Sequence, residues 1–182
     1  PKCTMLLTGW RNMFALFNNG EIHHCGYTGA GENGINDESW AEGSVRVGYD
    51  GARRNRGLVS VFKGKKCVRI ASSCENGDST HHNAALIENE RGTLDLYTWG
   101  YNAYGQLGQG HTTSHGSPRR IDWDEGRRGR IIDVWCKGGS YGSTYVLTDY
   151  GRMYTCGYNG QGELGIGNTT NQNEFQTATA LN

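Results

Sequence analysis

The sequence predicts an all-β chain: three four-stranded antiparallel β-propeller blades forming an incomplete ring. Three observations lead there. First, a glycine-rich phrase occurs three times. It runs Trp99-Gly100-Tyr101-Asn102-Ala103-Tyr104-Gly105-Gln106-Leu107-Gly108-Gln109-Gly110 and Cys156-Gly157-Tyr158-Asn159-Gly160-Gln161-Gly162-Glu163-Leu164-Gly165-Ile166-Gly167. A worn copy begins at Cys25-Gly26-Tyr27. Self-similarity at such spacing signals a repeat architecture. Second, each phrase follows two short apolar runs joined by a glycine turn, which is a hairpin signal. Third, glycine is 29 of 182 residues, alongside ten Tyr, five Trp and only two Pro. That composition suits a β-protein with many tight turns rather than collagen or a disordered tract.

Each unit can be justified in order. Its opening run is Cys3 to Leu7, Cys67 to Ala71 or Ile131 to Cys136. The hairpins pair Phe14–Phe17 with Glu21–Cys25, Ala84–Ile87 with Leu94–Trp99, and Tyr145–Leu147 with Arg152–Cys156. A polar loop and a last run, such as Arg119-Arg120-Ile121, complete about four strands, the content of one blade. The units expected are 1–57 with a long loop, 58–126 and 127–182. Within the phrases, Gly26, Gly100, Asn102, Gly105, Gly108, Gly157, Asn159, Gly162 and Gly165 supply tight turns. Leu107 and Leu164 are the apolar plugs beneath them.

Lys plus Arg and Asp plus Glu both total 18, so the zero net charge exerts no global pull on nucleic acid or anionic lipid. No stretch approaches the roughly 20 apolar residues of a membrane span, and no signal-peptide pattern is seen. The six cysteines are Cys3, Cys25, Cys67, Cys74, Cys136 and Cys156. Cys25, Trp99 and Cys156 share one repeat slot, which reads as a packed strand position, hence free thiols and a reducing, intracellular compartment. Against this, Asn168-Thr169-Thr170 is a glycosylation triplet, so a secreted or virion-associated protein stays open.

The second and third phrases, with the Ala-Leu or Val-Leu pairs Ala15-Leu16, Ala85-Leu86 and Val146-Leu147, resemble the regulator of chromosome condensation repeat. The resemblance covers nearly the whole chain and is poor in the first copy, where Asn33 fills the leucine slot. It implies a propeller usually of seven blades. Three blades leave open faces and edges, so further blades are expected from a longer polypeptide or from other subunits. Cys3–Leu7 and Phe175–Leu181 are each expected to pair with a strand outside the three blades. Family members include an exchange factor for a small nuclear GTPase, ubiquitin-ligase modules and a plant ultraviolet-B photoreceptor, so the fold leaves function open.

Each candidate site has a plainer reading beside it. Arg53, Arg54 and Arg56, with Lys65 and Lys66, precede the second unit's first strand, and Arg127, Arg128 and Arg130 precede the third's. They are candidates for a basic, partner-binding rim; ordinary solvated loops are the plainer reading. His23-His24-Cys25 with His81-His82 suggests zinc, but adjacent strand residues face opposite ways and no Cys-x-x-Cys exists, so no metal is expected. Gly9-Trp10-Arg11 resembles the photoreceptor's motif, but a single copy makes no tryptophan cluster. The glycine phrases lack the Lys-Ser/Thr ending of a phosphate loop, and no catalytic constellation is readable. No cofactor is expected. The leading expectation is a non-catalytic protein-binding or structural module presenting loops to a partner. The alternatives are a guanine nucleotide exchange factor and a structural component of a virion or other large assembly.

Overall fold

A computed structural model describes residues 1–8, 12–27, 54–73, 81–138 and 141–180. Three four-stranded antiparallel sheets follow one another along the chain. The first holds β1 (Cys3–Thr8), β2 (Asn12–Phe17), β3 (Ile22–Tyr27) and β4 (Arg54–Leu58). The second holds β5 (Lys66–Ser72), β6 (His82–Glu88), β7 (Leu94–Gly100) and β8 (His115–Arg120). The third holds β9 (Ile131–Lys137), β10 (Ser143–Thr148), β11 (Met153–Gly157) and β12 (Gln172–Thr177). Each is a meander in chain order, the topology of a propeller blade. Among the described residues, helix is confined to a 3-10 turn at Ser60–Phe62 and α1 (Glu125–Arg128), capped by the Asp124 carboxylate accepting the Arg127 amide.

The blades form an arc rather than a closed ring. Period-two alternation makes the second blade apolar on both faces. Ile70, Ala85, Ile87 and Trp99 pack with Phe14, Leu16 and Ile22 of the first blade. Ala71, Ala84, Leu86 and Leu96 pack with Val134, Val146, Tyr154, Cys156 and Phe175 of the third. The outer blades have only one covered face. Strand register makes Leu6 the counterpart of Ile70 and Val134, opposite Ala15, Ala85 and Val146. Ile70 is 1% and Val134 0% exposed, whereas Leu6 is 54% exposed. On the far side of the third blade, Trp135, Tyr145, Leu147 and Met153 are half-buried. Their second-blade counterparts Ala71, Ala84, Leu86 and Leu96 are buried.

Two expectations need correction. β1 pairs with β2, and β12 pairs with β11, so Cys3–Leu7 and the described part of Phe175–Leu181 find partners inside their own blades. Both ends of the arc are open through their faces, not through unpaired strands. Arg54 and Arg56 do not lie in a loop: they belong to β4, the fourth strand of the first blade. The basic run hid a strand because it lacks apolar alternation. Arg53, Gly9-Trp10-Arg11, Cys74 and the first glycine phrase beyond Tyr27 lie outside the described residues.

Gly108 (φ +65°) faces the third blade, where an added Cβ would meet the Phe175 ring and the Cys156 sulfur. Gly165 (φ +64°) has the same backbone but only ordinary contact with Ala178 and Ala180. Gly108→Ala should therefore destabilise the fold by about 2 kcal/mol more than Gly165→Ala, since both bear the left-handed cost but only the first overpacks an interface. Equal urea midpoints for the two variants would contradict this.

Candidate functional site

The glycine phrases fold as two turns stapled by one buried asparagine. Gly105 N–H donates to the Asn102 carbonyl and Gly108 N–H to that of Gly105; Gly162 and Gly165 repeat this on Asn159 and Gly162. Inside the second phrase, Asn102 Oδ1 accepts the Leu107 amide at 2.9 Å, and its Nδ2 donates to the carbonyls of His111 and Thr113 at 2.9 and 3.0 Å. Asn159 does the same with the Leu164 amide at 3.0 Å and the carbonyls of Asn168 and Thr170 at 2.8 and 3.1 Å. A strand threonine closes each loop from beneath: Thr98 Oγ1 donates to the Leu107 carbonyl and Thr155 Oγ1 to that of Leu164. Leu107 and Leu164 are buried as plugs.

The second loop also locks onto the next blade. His82 Nε2 lies 3.0 Å from Thr144 Oγ1, whose hydroxyl donates to the Gln106 carbonyl at 2.6 Å. That donation fixes the order: the His82 ring N–H gives to Thr144. Gly110 N–H donates to the Asn173 carbonyl, and Gln109 bridges Glu174. Sequence reading missed this seam because its parts lie 62 and 38 residues apart.

At the same end of the blades three tyrosines converge. Tyr104 and Tyr158 come from the two loops, and Tyr141 from the turn entering β10. Ring centroids are 5.4 Å apart for Tyr104–Tyr141, 5.3 Å for Tyr104–Tyr158 and 4.9 Å for Tyr141–Tyr158. Tyr141 is 63% exposed. Partial desolvation in this cluster raises the Tyr104 hydroxyl above its ordinary pKa, with the neighbouring phenols adding to the shift.

The basic candidates sit elsewhere. Register puts Lys65, Lys66, Arg127, Arg128 and Arg130 at the opposite, hairpin end of the blades, while Arg54 pairs with Tyr27 nearer the glycine-loop end. Lys66 and Arg130 occupy equivalent positions and bind equivalent acids: Lys66–Glu88 is 2.6 Å and Arg130–Asp149 2.8 Å. The Arg130 hydrogen bond holds the Asp149 carboxyl below its ordinary pKa. Lys65 lies over Tyr97, and Arg128 stacks 4.9 Å from Trp123. A cleft of about 930 Å³ opens here, and Lys66–Glu88 and Arg120–Asp95 pair across its lining. A smaller cavity of about 480 Å³ lies between the blades, lined by His111, Arg119, Arg128 and Glu174.

His23 and His24 point to opposite faces: His23 meets Glu21, and His24 is buried against Phe14. Among the described residues, no three His, Cys, Asp or Glu side chains cluster closely enough to hold a metal ion. Cys3, Cys25, Cys67, Cys136 and Cys156 are free thiols. Cys67, Cys136 and Cys156 are buried, Cys25 is half-buried and Cys3 is exposed, on the first blade's uncovered side.

The model of the regulator of chromosome condensation (RCC1) repeat matches residues 95–143, which run from β7 through the stapled loop and β8 to β9 and the start of β10. The chain belongs to the RCC1 repeat family. Human E3 ubiquitin-protein ligase HERC2 is 32% identical over 151 residues, which is 79% of this chain and 3% of the ligase. Human probable E3 ubiquitin-protein ligase HERC4 is 29% identical over 164 residues, 90% of this chain and 13% of that protein. The chain thus spans a small part of these relatives. Among solved structures, Saccharomyces cerevisiae Prp20p, described with its binding to Gsp1p and histones, superposes with a TM-score of 0.69 at 15% identity. The match covers 97% of this chain and 38% of Prp20p, and at that identity it speaks for the RCC1 fold alone. No helix among the described residues is long and apolar enough to cross a membrane.

Two outcomes follow from this geometry. Asn159→Ala leaves the buried Leu164 amide and two loop carbonyls without partners and should cost about 3 kcal/mol, read from urea unfolding; Asn168→Ala, at the exposed rim, should cost far less. The second concerns pH. Burial depresses His24 and His82 from 6.5 to about 3. Between those pH values the unfolded chain binds more protons than the folded one, so stability present above about pH 6.5 is lost as pH falls toward 3. His24→Thr, which installs the residue found at Thr98 and Thr155, should remove about one proton from the pH dependence of the urea midpoint. An unchanged slope would contradict the neutral, buried assignment.

Proposed function

We propose that the chain is a non-catalytic protein-binding module, three RCC1-type units (1–57, 58–126 and 127–182) that present loops to a protein partner. The observation that carries this reading is the Tyr104–Tyr141–Tyr158 cluster, a partly exposed aromatic patch that joins the two stapled loops to the turn before β10. Tyrosine is enriched at energetic centres of interfaces because it brings contact area and a hydroxyl at small entropic cost. Exposed Leu6 on one side, and half-buried Trp135, Tyr145, Leu147 and Met153 on the other, favour further blades from the same polypeptide or another subunit. The basic residues Arg53, Arg54, Arg56, Lys65, Lys66, Arg127, Arg128 and Arg130 are a second, weaker candidate contact zone, since several already hold partners within the chain. Prp20p binding to Gsp1p and histones, and the HERC relatives, make protein partners the natural class. The pairing of charged groups in the larger cleft favours a binding role over catalysis.

The test is affinity capture with quantitative mass spectrometry. Tyr104→Ala with Tyr141→Ala should lose partners that wild type retains, while Tyr150→Ala, exposed at the hairpin end, should keep them. Purified chain should not accelerate nucleotide release from small GTPases. Acceleration would replace this reading with the exchange-factor alternative.

A further inference from the structure

The tyrosines at the glycine-loop end are placed by the chain but not demanded by its fold. Both glycine loops keep the same asparagine staple, yet the position of Tyr104 is Gln161 in the third phrase. The backbone bonds match there too. The Tyr104 amide donates to the Gln106 side-chain carbonyl at 2.9 Å, and the Gln161 amide to the Glu163 carboxylate at 2.9 Å. A glutamine folds this turn as a tyrosine does, so the Tyr104 ring is surplus to loop shape. It reaches across the seam between blades to Tyr141 and Tyr158.

Tyr158 is seated by a glycine. An added Cβ on Gly160 would collide with the Tyr158 hydroxyl, so the ring lies back over its own loop only because that residue is Gly. The second phrase has Ala103 at this position, and its loop closes with the same staple. Tyr104 and Tyr141 are inclined by 30°, and Tyr158 stands at 80° and 64° to them. Two rings thus make one wall and the third a wall across it. Tyr104 and Tyr158 are half-buried and Tyr141 is exposed, so the corner is anchored yet open to solvent. A cation in that corner would lie within about 6 Å of the ring centroids, the range of cation–π attraction. The chain's own stacked cations, Lys65, Arg128 and Arg152, lie over Tyr97, Trp123, Tyr154 and Tyr150 instead.

We infer that Tyr104, Tyr141 and Tyr158 form an aromatic cage for a methylated ammonium, the trimethyllysine side chain of a protein partner. The inference rests on the reading of this cluster as a protein-binding patch and names what the patch takes. Ring faces attract a cation but offer no set of carboxylates to replace the water shell of a bare lysine ammonium, which is strongly hydrated. In the two glycine phrases Glu163 is the single acid, and its carboxylate already accepts the Gln161 amide. Trimethylation removes the N–H donors and keeps the charge. The modified side chain therefore gives up less hydration on entering the corner and presents methyl groups to the ring faces.

The test is titration of the ¹⁵N-labelled chain with the peptide acetyl-Gly-Lys-Gly-amide, trimethylated at its lysine or unmodified. The expected result is saturable shifts of the Tyr104, Tyr141 and Tyr158 amides with the trimethylated peptide, at an affinity about tenfold above that of the unmodified form. Tyr104→Gln, which installs the residue of the third phrase, should weaken binding about tenfold. Gly160→Ala should also weaken it, by displacing the Tyr158 ring. Gly160 needs no left-handed backbone and the second loop folds with Ala103, so both variants keep the fold. Tyr150→Ala, at the hairpin end, should bind as wild type does. A peptide with a neutral tert-butyl group in place of the trimethylammonium should bind more weakly, because it lacks the charge. Equal affinity for the trimethylated peptide and either counterpart overturns the inference, as does the absence of saturable shifts. Choline bound more tightly than the trimethylated peptide assigns the corner to a free quaternary ammonium and overturns its assignment to a protein side chain. Affinity capture reads the partner-binding proposal separately, since it requires no methylated residue. Partners that depend on Tyr104 without any peptide binding overturn the cage alone.

Discussion

One buried asparagine per loop is the constraint on which the rest of the structure depends. A run of glycines has no conformational preference strong enough to hold a shape, and its ordering is entropically costly. Asn102 and Asn159 supply what glycine lacks. Each side chain satisfies one amide five residues ahead and two carbonyls nine and eleven residues ahead. With the loop fixed, the plug leucine sits under it, the strand threonine reaches its carbonyl, and the glycines turn bare backbone toward the next blade. Hydrogen bonding thus sets local shape, and local shape sets how closely two sheets approach.

That approach explains why the blades stack as they do. The second blade contributes alternate residues to two separate apolar clusters, one shared with each neighbour. Among the described residues, each of the two cores belongs to a pair of blades. Stability in such arrays is a sum of unit and interface contributions, and the unit at either end of the arc lacks one interface. The polar seam of His82, Thr144 and Gln106 runs beside the apolar one and fixes the register between blades.

Much of this was legible in the residues. The three glycine phrases, the hairpins before them and the shared Cys25, Trp99 and Cys156 slot gave the strands and their order, because turn chemistry and period-two alternation are local properties. β4 was not legible: Arg54-Asn55-Arg56 carries no alternation, and its strand character comes only from pairing with β3. The end strands were misjudged for a related reason, since an isolated run such as Cys3–Leu7 does not reveal how tightly its neighbour folds back. The tyrosine cluster and the His82 seam were hidden because they join residues from different units, which only tertiary structure brings together. His24 shows the converse: it stands where later copies have Thr98 and Thr155, and alignment of the copies alone marks it as an exception.

The free thiols have a use that lies outside binding. Burial pushes the Cys67 thiol up to about 12 and the Cys156 thiol well above its ordinary value, so neither reacts with an alkylating reagent while its blade stays closed. Cys67 lies in the second blade and Cys136 and Cys156 in the third, each at a seam between sheets. The chain therefore carries built-in clocks for local opening: the rate at which each sulfur is labelled measures how often its own interface parts. An array whose end units breathe before its middle would write that order directly into its labelling pattern.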